Sequence, residues 1–140
     1  MKYKDKNNII HEVEAGFEHL LPSDAVALTP EQEVIWMTPI LDTELKEAWD
    51  NTGSLPVLNL DKAKELVHEK RRVKRDAAFQ PNINIIDKHV KGIPLKADED
   101  VEVARKANAS VKTKDDALQS KIDKCRSEKT LRKLMIKEKL

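Results

Sequence analysis

Histidine and cysteine are the residue types in this chain best suited to catalysis or metal binding, and they are few. They are His11, His19, His68, His89 and Cys125. A zinc-protease helix needs a second histidine four residues after the first, and His68-Glu69 has none. Cys125 lacks a recognisable base partner, and three isolated glycines cannot form a phosphate-binding loop. We therefore predict scattered histidines, a packed thiol, no metal or cofactor and no enzymatic activity.

The densest charge in the sequence is the basic run KRRVKR at residues 70–75. Clustered lysine and arginine bind nucleic-acid phosphates in a salt-dependent way. The run lacks interleaved aromatic residues for base stacking, and Glu69 and Asp76 supply counter-charges. Nucleic acid, an acidic protein surface and plain solvation are three alternatives, of which the protein partner is favoured. The candidate interaction residues are Arg71, Arg72, Lys74 and Arg75.

Charge is distributed unevenly along the 140 residues, although the net charge is +1. Residues 1–60 contain 4 Lys+Arg against 11 Asp+Glu, a net −7, and residues 61–140 contain 22 against 14, a net +8. Such a split indicates that the halves contact different surfaces, or each other's opposite halves in an oligomer. One cysteine permits no disulfide within the chain, and no apolar run approaches the roughly 18 residues of a membrane span. We expect a protein kept in a reducing cytoplasm or built into a particle there.

The front half is predicted to fold as a small acidic α+β domain over residues 1–52. A turn-rich cluster at 5–8 between extended stretches predicts a β-hairpin over 2–14. Four of the five aromatic residues precede residue 50, which places the compact aromatic core in this half. The expected anchors of that core are Phe17, Leu20, Trp36 and Trp49.

Two short helices are expected in this half. Thr29 suits an N-cap, Pro30 suits the first helical position, and Gln32 completes a capping box. Thr38 precedes a proline, which disfavours the helical region, so the first helix should end there. The second helix should begin at 42 or 43 and end by residue 52, and residues 53–59 are predicted to be a linker.

The back half, residues 60–140, is predicted to be a basic helical domain. Apolar spacing predicts helices over 60–79, 98–125 and 128–139. Pro81 should close the first helix, and the isoleucine-rich residues 80–97 favour an extended segment between helices. The expected fold class is therefore α+β: a small β-hairpin/helix domain, then a helical hairpin or coiled-coil-like half with an extended arm.

The helix over 98–125 carries a seam of residues spaced three or four apart. The seam comprises Ala104, Asn108, Val111, Asp115, Leu118, Ile122 and Cys125. It either packs against the other two helices of the same chain or pairs with copies of itself in a dimer or trimer. The second arrangement is favoured, because three helices with so few large apolar residues make a thin core. The expected interaction residues are Ala104, Val111, Leu118 and Ile122.

Short motifs in both halves carry a resemblance to a known family. In the front half they are YKDKNNIIH (3–11), FEHLLP (17–22) and ALTPE (27–31). In the back half they are LDKAK (60–64), KRR (70–72), RD (75–76), FQP (79–81), AR (104–105) and QSKID (119–123). Together they resemble small tail accessory proteins of tailed bacteriophages that are encoded beside tail-fibre genes, of the tail-tip collar or tail-fibre assembly type.

The resemblance implies a virion structural protein: a homo-oligomeric collar or adaptor, trimeric or larger, that connects the tail tube and side tail fibres at the tail tip. Its partners would be itself and other tail proteins including fibres, without a membrane and without nucleic acid. It would reside in the virion tail after assembly in the host cytoplasm. A fibre-assembly chaperone that leaves the particle is one alternative. A small nucleic-acid-binding regulator that uses residues 70–75 is another.

Overall fold

A computed structural model describes residues 1–140 and divides the chain into two units, Met1–Ala63 and Lys64–Leu140. The first unit, called here the N-terminal unit, contains all five β-strands and one helix. The second, the C-terminal unit, is helical, and its first helix begins at Leu60. This architecture confirms the predicted α+β class with a helical C-terminal half. No helix is long and apolar enough to cross a membrane.

A three-stranded antiparallel sheet opens the N-terminal unit. Its strands are β1 (Lys2–Lys4), β2 (Ile10–Glu12) and β3 (Val26–Ala27), in the order β2-β1-β3. The predicted hairpin between β1 and β2 is confirmed, with Tyr3 opposite His11. Oδ1 of Asp5 accepts hydrogen bonds from the amides of Asn7 and Ile9, which satisfies the backbone of the tight turn.

Helix α1 (Pro30–Leu41) begins where the sequence predicted and ends later than predicted. The amide of Gln32 donates to Oγ1 of Thr29, and the Thr29 amide donates to Oε1 of Gln32, so the capping box is confirmed. The helix continues through Pro39 to its last residue. Pro39 lies in the last turn and is buried, so the packing of its ring offsets the loss of the hydrogen bond that an amide there would donate to the preceding turn.

A β-hairpin replaces the predicted second helix and much of the predicted linker. Only one 3-10 turn, Lys46–Ala48, is helical, and it leads into β4 (Trp49–Asp50). Strand β5 (Val57–Leu58) pairs antiparallel with β4. Residues 53–59 are therefore partly a strand, and the division between the units falls after Ala63. Nε1 of Trp49 donates to Oδ2 of Asp42 at 2.7 Å, and this hydrogen bond stabilises the turn found where the second helix was predicted.

The core of the N-terminal unit contains some predicted anchors and excludes others. Trp36 is 5% exposed and packs in the core, together with Leu45, which has no exposed surface. Trp49 is half-buried. Phe17 and Leu20 were predicted to anchor the core, and this is wrong: they are 51% and 68% exposed. They lie in and beside a short 3-10 turn, Glu18–Leu20, which buries no side chain.

The prediction of an extended segment over 80–97 is wrong for residues 80–90, because helix α2 (Leu60–Val90) continues through them. Half-buried side chains repeat at helical spacing on both sides of Pro81, at Phe79, Asn82 and Ile86. Burial of this face offsets the backbone hydrogen bond that the proline removes. The helix ends at Val90, and Gly92, whose φ is 71°, closes it in a Schellman-type turn where the Ile93 amide donates to the Lys88 carbonyl.

The remaining helices match their predictions closely. Helix α3 (Val101–Asp123) is capped by Asp100, whose Oδ1 accepts from the amides of Glu102 and Val103. Helix α4 (Glu128–Glu138) begins with a capping box. His68 near the start of α2 contacts Asp123 at the end of α3, and Lys88 near the end of α2 pairs with Glu99 just before α3, so these helices run antiparallel. The largest buried apolar side chains in the core of the unit are Val67, Ile122, Leu131 and Met135.

Candidate protein-interaction surfaces

The centre of the C-terminal unit is a buried ion pair between α2 and α3. Nη1 of Arg71 donates to both carboxylate oxygens of Asp115 at 2.6 Å, and the two side chains are 3% and 8% exposed. Asp115 occupies a seam position of α3, one turn before Leu118. Arg71 lies one turn after the buried Val67 on α2. Helical spacing thus brings a cation and an anion to the same depth, where each neutralises the other.

A chain of polar contacts extends from this pair towards the C-terminus of α3. Nε of Arg71 donates to Nδ1 of His68 at 3.2 Å, and Nε2 of His68 lies 2.8 Å from Oδ1 of Asp123. Because Nδ1 accepts, the imidazole proton is on Nε2 and donates to the Asp123 carboxylate. Nζ of Lys64 also donates to the Asp123 carbonyl. The arrangement fixes α2 against α3 and defines the role of His68 as structural bridging.

The basic run at 70–75 is divided by this geometry. Arg71 was predicted to meet an acidic partner, and this is wrong because its side chain is buried against Asp115. Arg75 contacts Asp76 at 2.9 Å and Asp115 at 3.7 Å, and its pKa is raised chiefly by the hydrogen bond with Asp76. Arg72 is exposed. The run therefore does not present a continuous row of cations.

The predicted seam is also divided, between residues packed inside the chain and residues that line an opening. Ala104 and Ile122 are 2% and 0% exposed. They pack inside their own chain, so the expectation that they contact another copy is wrong. Val111 and Leu118 are half-buried and line a cleft of about 290 Å³. The intrachain alternative therefore describes Ala104, Asp115 and Ile122, whereas Val111 and Leu118 stay partly accessible.

This opening, called here the basic cleft, lies between α2 and α3 at the point where α4 ends. Its residues are Arg71, Lys74, Arg75, Ala78, Val111, Lys114, Asp115, Leu118 and Glu138. Nζ of Lys74 donates to the carbonyl of Glu138, the last residue of α4. The apolar lining comes from Ala78, Val111 and Leu118, and Lys114 is exposed beside it. The basic cleft thus combines an apolar lining with cationic side chains.

A second surface, called here the α1 face, was missed from the sequence. It consists of Glu31, Val34, Ile35, Thr38 and Leu41, which share one side of α1. Val34 and Leu41 are 70% and 71% exposed, and Ile35 is 41% exposed. The signal was present in the sequence: residues 34–41 (VIWMTPIL) contain no charge, so apolar side chains point in every direction. One small unit cannot cover all sides of such a helix.

In both units, ionisable groups with shifted pKa values form hydrogen bonds to neighbouring residues of the same unit. A hydrogen bond with His11 lowers the pKa of Asp5, and one with Glu33 raises the pKa of Lys2. The Lys96 amide and then Lys88 lower the pKa of Glu99, in the connection between α2 and α3. Cys125 is buried, and its Sγ lies 3.3 Å from the carbonyl of Lys121. No group of three or more histidine, cysteine or acidic side chains has a geometry suited to a metal ion.

No protein-family model, no curated protein and no solved structure matches this chain. Its description therefore rests on its own two-unit α+β fold and on the surfaces above.

Proposed function

We propose that this chain is a non-enzymatic binding protein of a bacteriophage tail, a homo-oligomeric collar or adaptor at the tail tip that connects the tail tube and side tail fibres. The observation that carries the binding role is the α1 face. Three apolar side chains of one short helix, Val34, Ile35 and Leu41, project into solvent in the free chain. The phage setting rests on the sequence resemblance.

The composition of α1 favours a protein partner over a solvated surface. Exposed apolar patches on soluble proteins mark interaction sites, and the cores of interfaces are depleted of charge. The α1 face meets both criteria between Val34 and Leu41, where its apolar side chains are exposed and no residue is charged. Val34, Thr38 and Leu41 lie at positions i, i+4 and i+7 of one helix side, a spacing that helices recognised in grooves use for their anchor side chains.

The opposite charges of the two units suit a protein that joins components. The acidic N-terminal unit and the basic C-terminal unit attract surfaces of opposite sign, and such complementarity selects partners and accelerates encounter. A nucleic-acid role has weaker support, because Arg71 and Arg75 are engaged with acidic side chains of the same chain.

Particles of the phage or prophage that encodes the chain provide the test. The proposal expects the protein in purified virions by mass spectrometry, and antibody labelling at the tail tip by electron microscopy. Val34→Asp with Leu41→Asp should prevent incorporation, whereas Val103→Asp should not, because Val103 is comparably exposed on α3 at 65%. Detection only in complexes with fibre protein from infected cells would favour the chaperone alternative. Absence from both would overturn the proposal.

A further inference from the structure

The α1 face and the basic cleft are both uncovered in the free chain, and their lengths along the helix axis match. Val34 and Leu41 are seven residues apart on α1. The cleft is bounded by Arg71 and Ala78 on α2, and by residues 111–118 on α3, which have the same spacing. Seven residues of helix span roughly 10 Å, or two turns. An α-helical segment with two turns of apolar side chain therefore fits along the cleft.

The position of α4 explains why a helix suits this opening. α4 packs beside α2 and α3 and ends at Glu138, where the cleft begins. Beyond that point the α2–α3 hairpin has no third helix of the unit, although Val111 and Ala78 still supply apolar surface there. A helix placed in line with α4 would extend the three-helix packing across these residues.

Charge distinguishes a second copy of this chain from other helical partners. Lys114 lines the cleft and forms no ion pair within the chain, and Lys74 and Arg75 lie near it. The acidic lining residues Asp115 and Glu138 already face Arg71 and Lys121. The α1 face begins with the exposed Glu31, and the N-terminal unit has an excess of acidic residues. An acidic first turn followed by uncharged apolar residues matches a cleft with cationic sides and an apolar lining.

We propose that the α1 face of one copy binds in the basic cleft of a second copy. The inference deepens the proposed function, since it rests on the self-association in that proposal and names its surfaces. Such an interface is heterologous: each copy uses one surface and leaves the other free for the next copy. Repetition of a heterologous contact generates a ring when the rotation closes and a filament when it does not. A collar requires the first outcome.

Sedimentation of the full-length chain over a wide range of concentration tests self-association. The mass should rise with concentration, and the rise should weaken as salt is added, because charged side chains contribute to the contact. A chain that sediments as a monomer at every concentration would overturn the inference.

Two blocked variants test the head-to-tail arrangement. Val34→Asp with Glu31→Lys blocks the α1 face, and Val111→Ser with Lys114→Glu blocks the cleft. When each variant is measured alone, its self-association should weaken by a factor of about ten or more. Mixed together, they retain one intact pair of surfaces and should form a 1:1 dimer that grows no further. Val103→Asp with Lys106→Glu is the matched control, at two exposed positions one turn apart on α3, and should assemble like the unmodified chain. Circular dichroism confirms the fold of each variant.

A mixture that stays monomeric, or variants that associate normally, would overturn the head-to-tail contact. These outcomes are separate from those of the virion experiment. A protein found at the tail tip that is a monomer in solution keeps the tail-tip role in the proposed function and loses this inference. A protein that assembles head to tail in a salt-sensitive way but is absent from particles and fibre complexes keeps this inference and loses the proposed function.

Discussion

The two units of this protein treat apolar side chains differently. Eleven of the seventeen exposed large apolar side chains belong to the N-terminal unit, which holds fewer than half of the residues. The highly charged C-terminal unit instead arranges its sparse apolar residues on inward faces and even buries an ion pair. The comparison teaches that overall polarity is a poor guide to binding surface, since the unit with the higher fraction of apolar residues leaves more of them uncovered.

Separate probes make this comparison measurable within the intact chain. Both tryptophans, Trp36 and Trp49, lie in the N-terminal unit, so their fluorescence reports on that unit alone. Most helical residues belong to α2, α3 and α4, so circular dichroism reports mainly on the C-terminal unit.

The largest effect is expected at the buried ion pair. Asp115→Ala should lower the free energy of unfolding of the C-terminal unit by about 3–5 kcal/mol, because it leaves the Arg71 guanidinium buried without its partner. Urea unfolding followed by circular dichroism measures this loss, and the tryptophan transition should not move. Asp116→Ala is the matched control, since its exposed pair with Lys112 contributes less than about 1 kcal/mol. Equal losses in the two variants would contradict the assignment.

The next largest difference between the units is expected in the loss of stability when an apolar side chain is truncated. Ile122→Ala should destabilise the C-terminal unit by about 2–5 kcal/mol, because the residue has no exposed surface and its removal leaves a cavity. Leu41→Ala, on the α1 face, should change the stability of the N-terminal unit by less than about 0.5 kcal/mol. Urea unfolding followed by circular dichroism and by fluorescence measures the two. A large loss for Leu41→Ala would show that the α1 face is covered in the free chain.

A smaller effect is expected at the start of α1. Thr29→Ala removes the acceptor for the Gln32 amide and should lower the stability of the N-terminal unit by about 1 kcal/mol. Thr29→Ser keeps a hydroxyl acceptor and should retain most of that stability. Tryptophan fluorescence in urea compares them, and identical midpoints for all three chains would argue against the capping box as a source of stability.

The smallest expected effect is a pH dependence confined to the N-terminal unit. The hydrogen bond with His11 lowers the pKa of Asp5 from its ordinary value of 3.8. A depressed carboxyl pKa contributes stability that is present above the ordinary value and is lost as pH falls through the folded value. Fluorescence-monitored unfolding below about pH 4 should therefore show a shallower decline for Asp5→Asn than for the unmodified chain. Parallel declines would remove Asp5 as the cause.

Local signals in the sequence predicted the elements that depend on local chemistry. The capping residues at Thr29 and Gln32 located the start of α1, and the Asp5 turn located the first hairpin. The same residue-level reasoning failed at Pro81, because the helical spacing of half-buried residues around it outweighed the proline. It also failed at Phe17, because hydrophobicity alone does not say whether a neighbouring element exists to cover a side chain.

The sequence by itself determined the α+β order of elements, the charge difference between the halves, and the seam on α3. Only the tertiary structure decided that Ala104 and Ile122 pack inside while Val111 and Leu118 line a cleft. The reason is that α4 covers only part of the α2–α3 hairpin, and no periodicity within α3 records where a neighbouring helix ends. Likewise, the sequence shows the uncharged stretch of α1, but the packing of Trp36 in the core decides which side of that helix stays exposed to water.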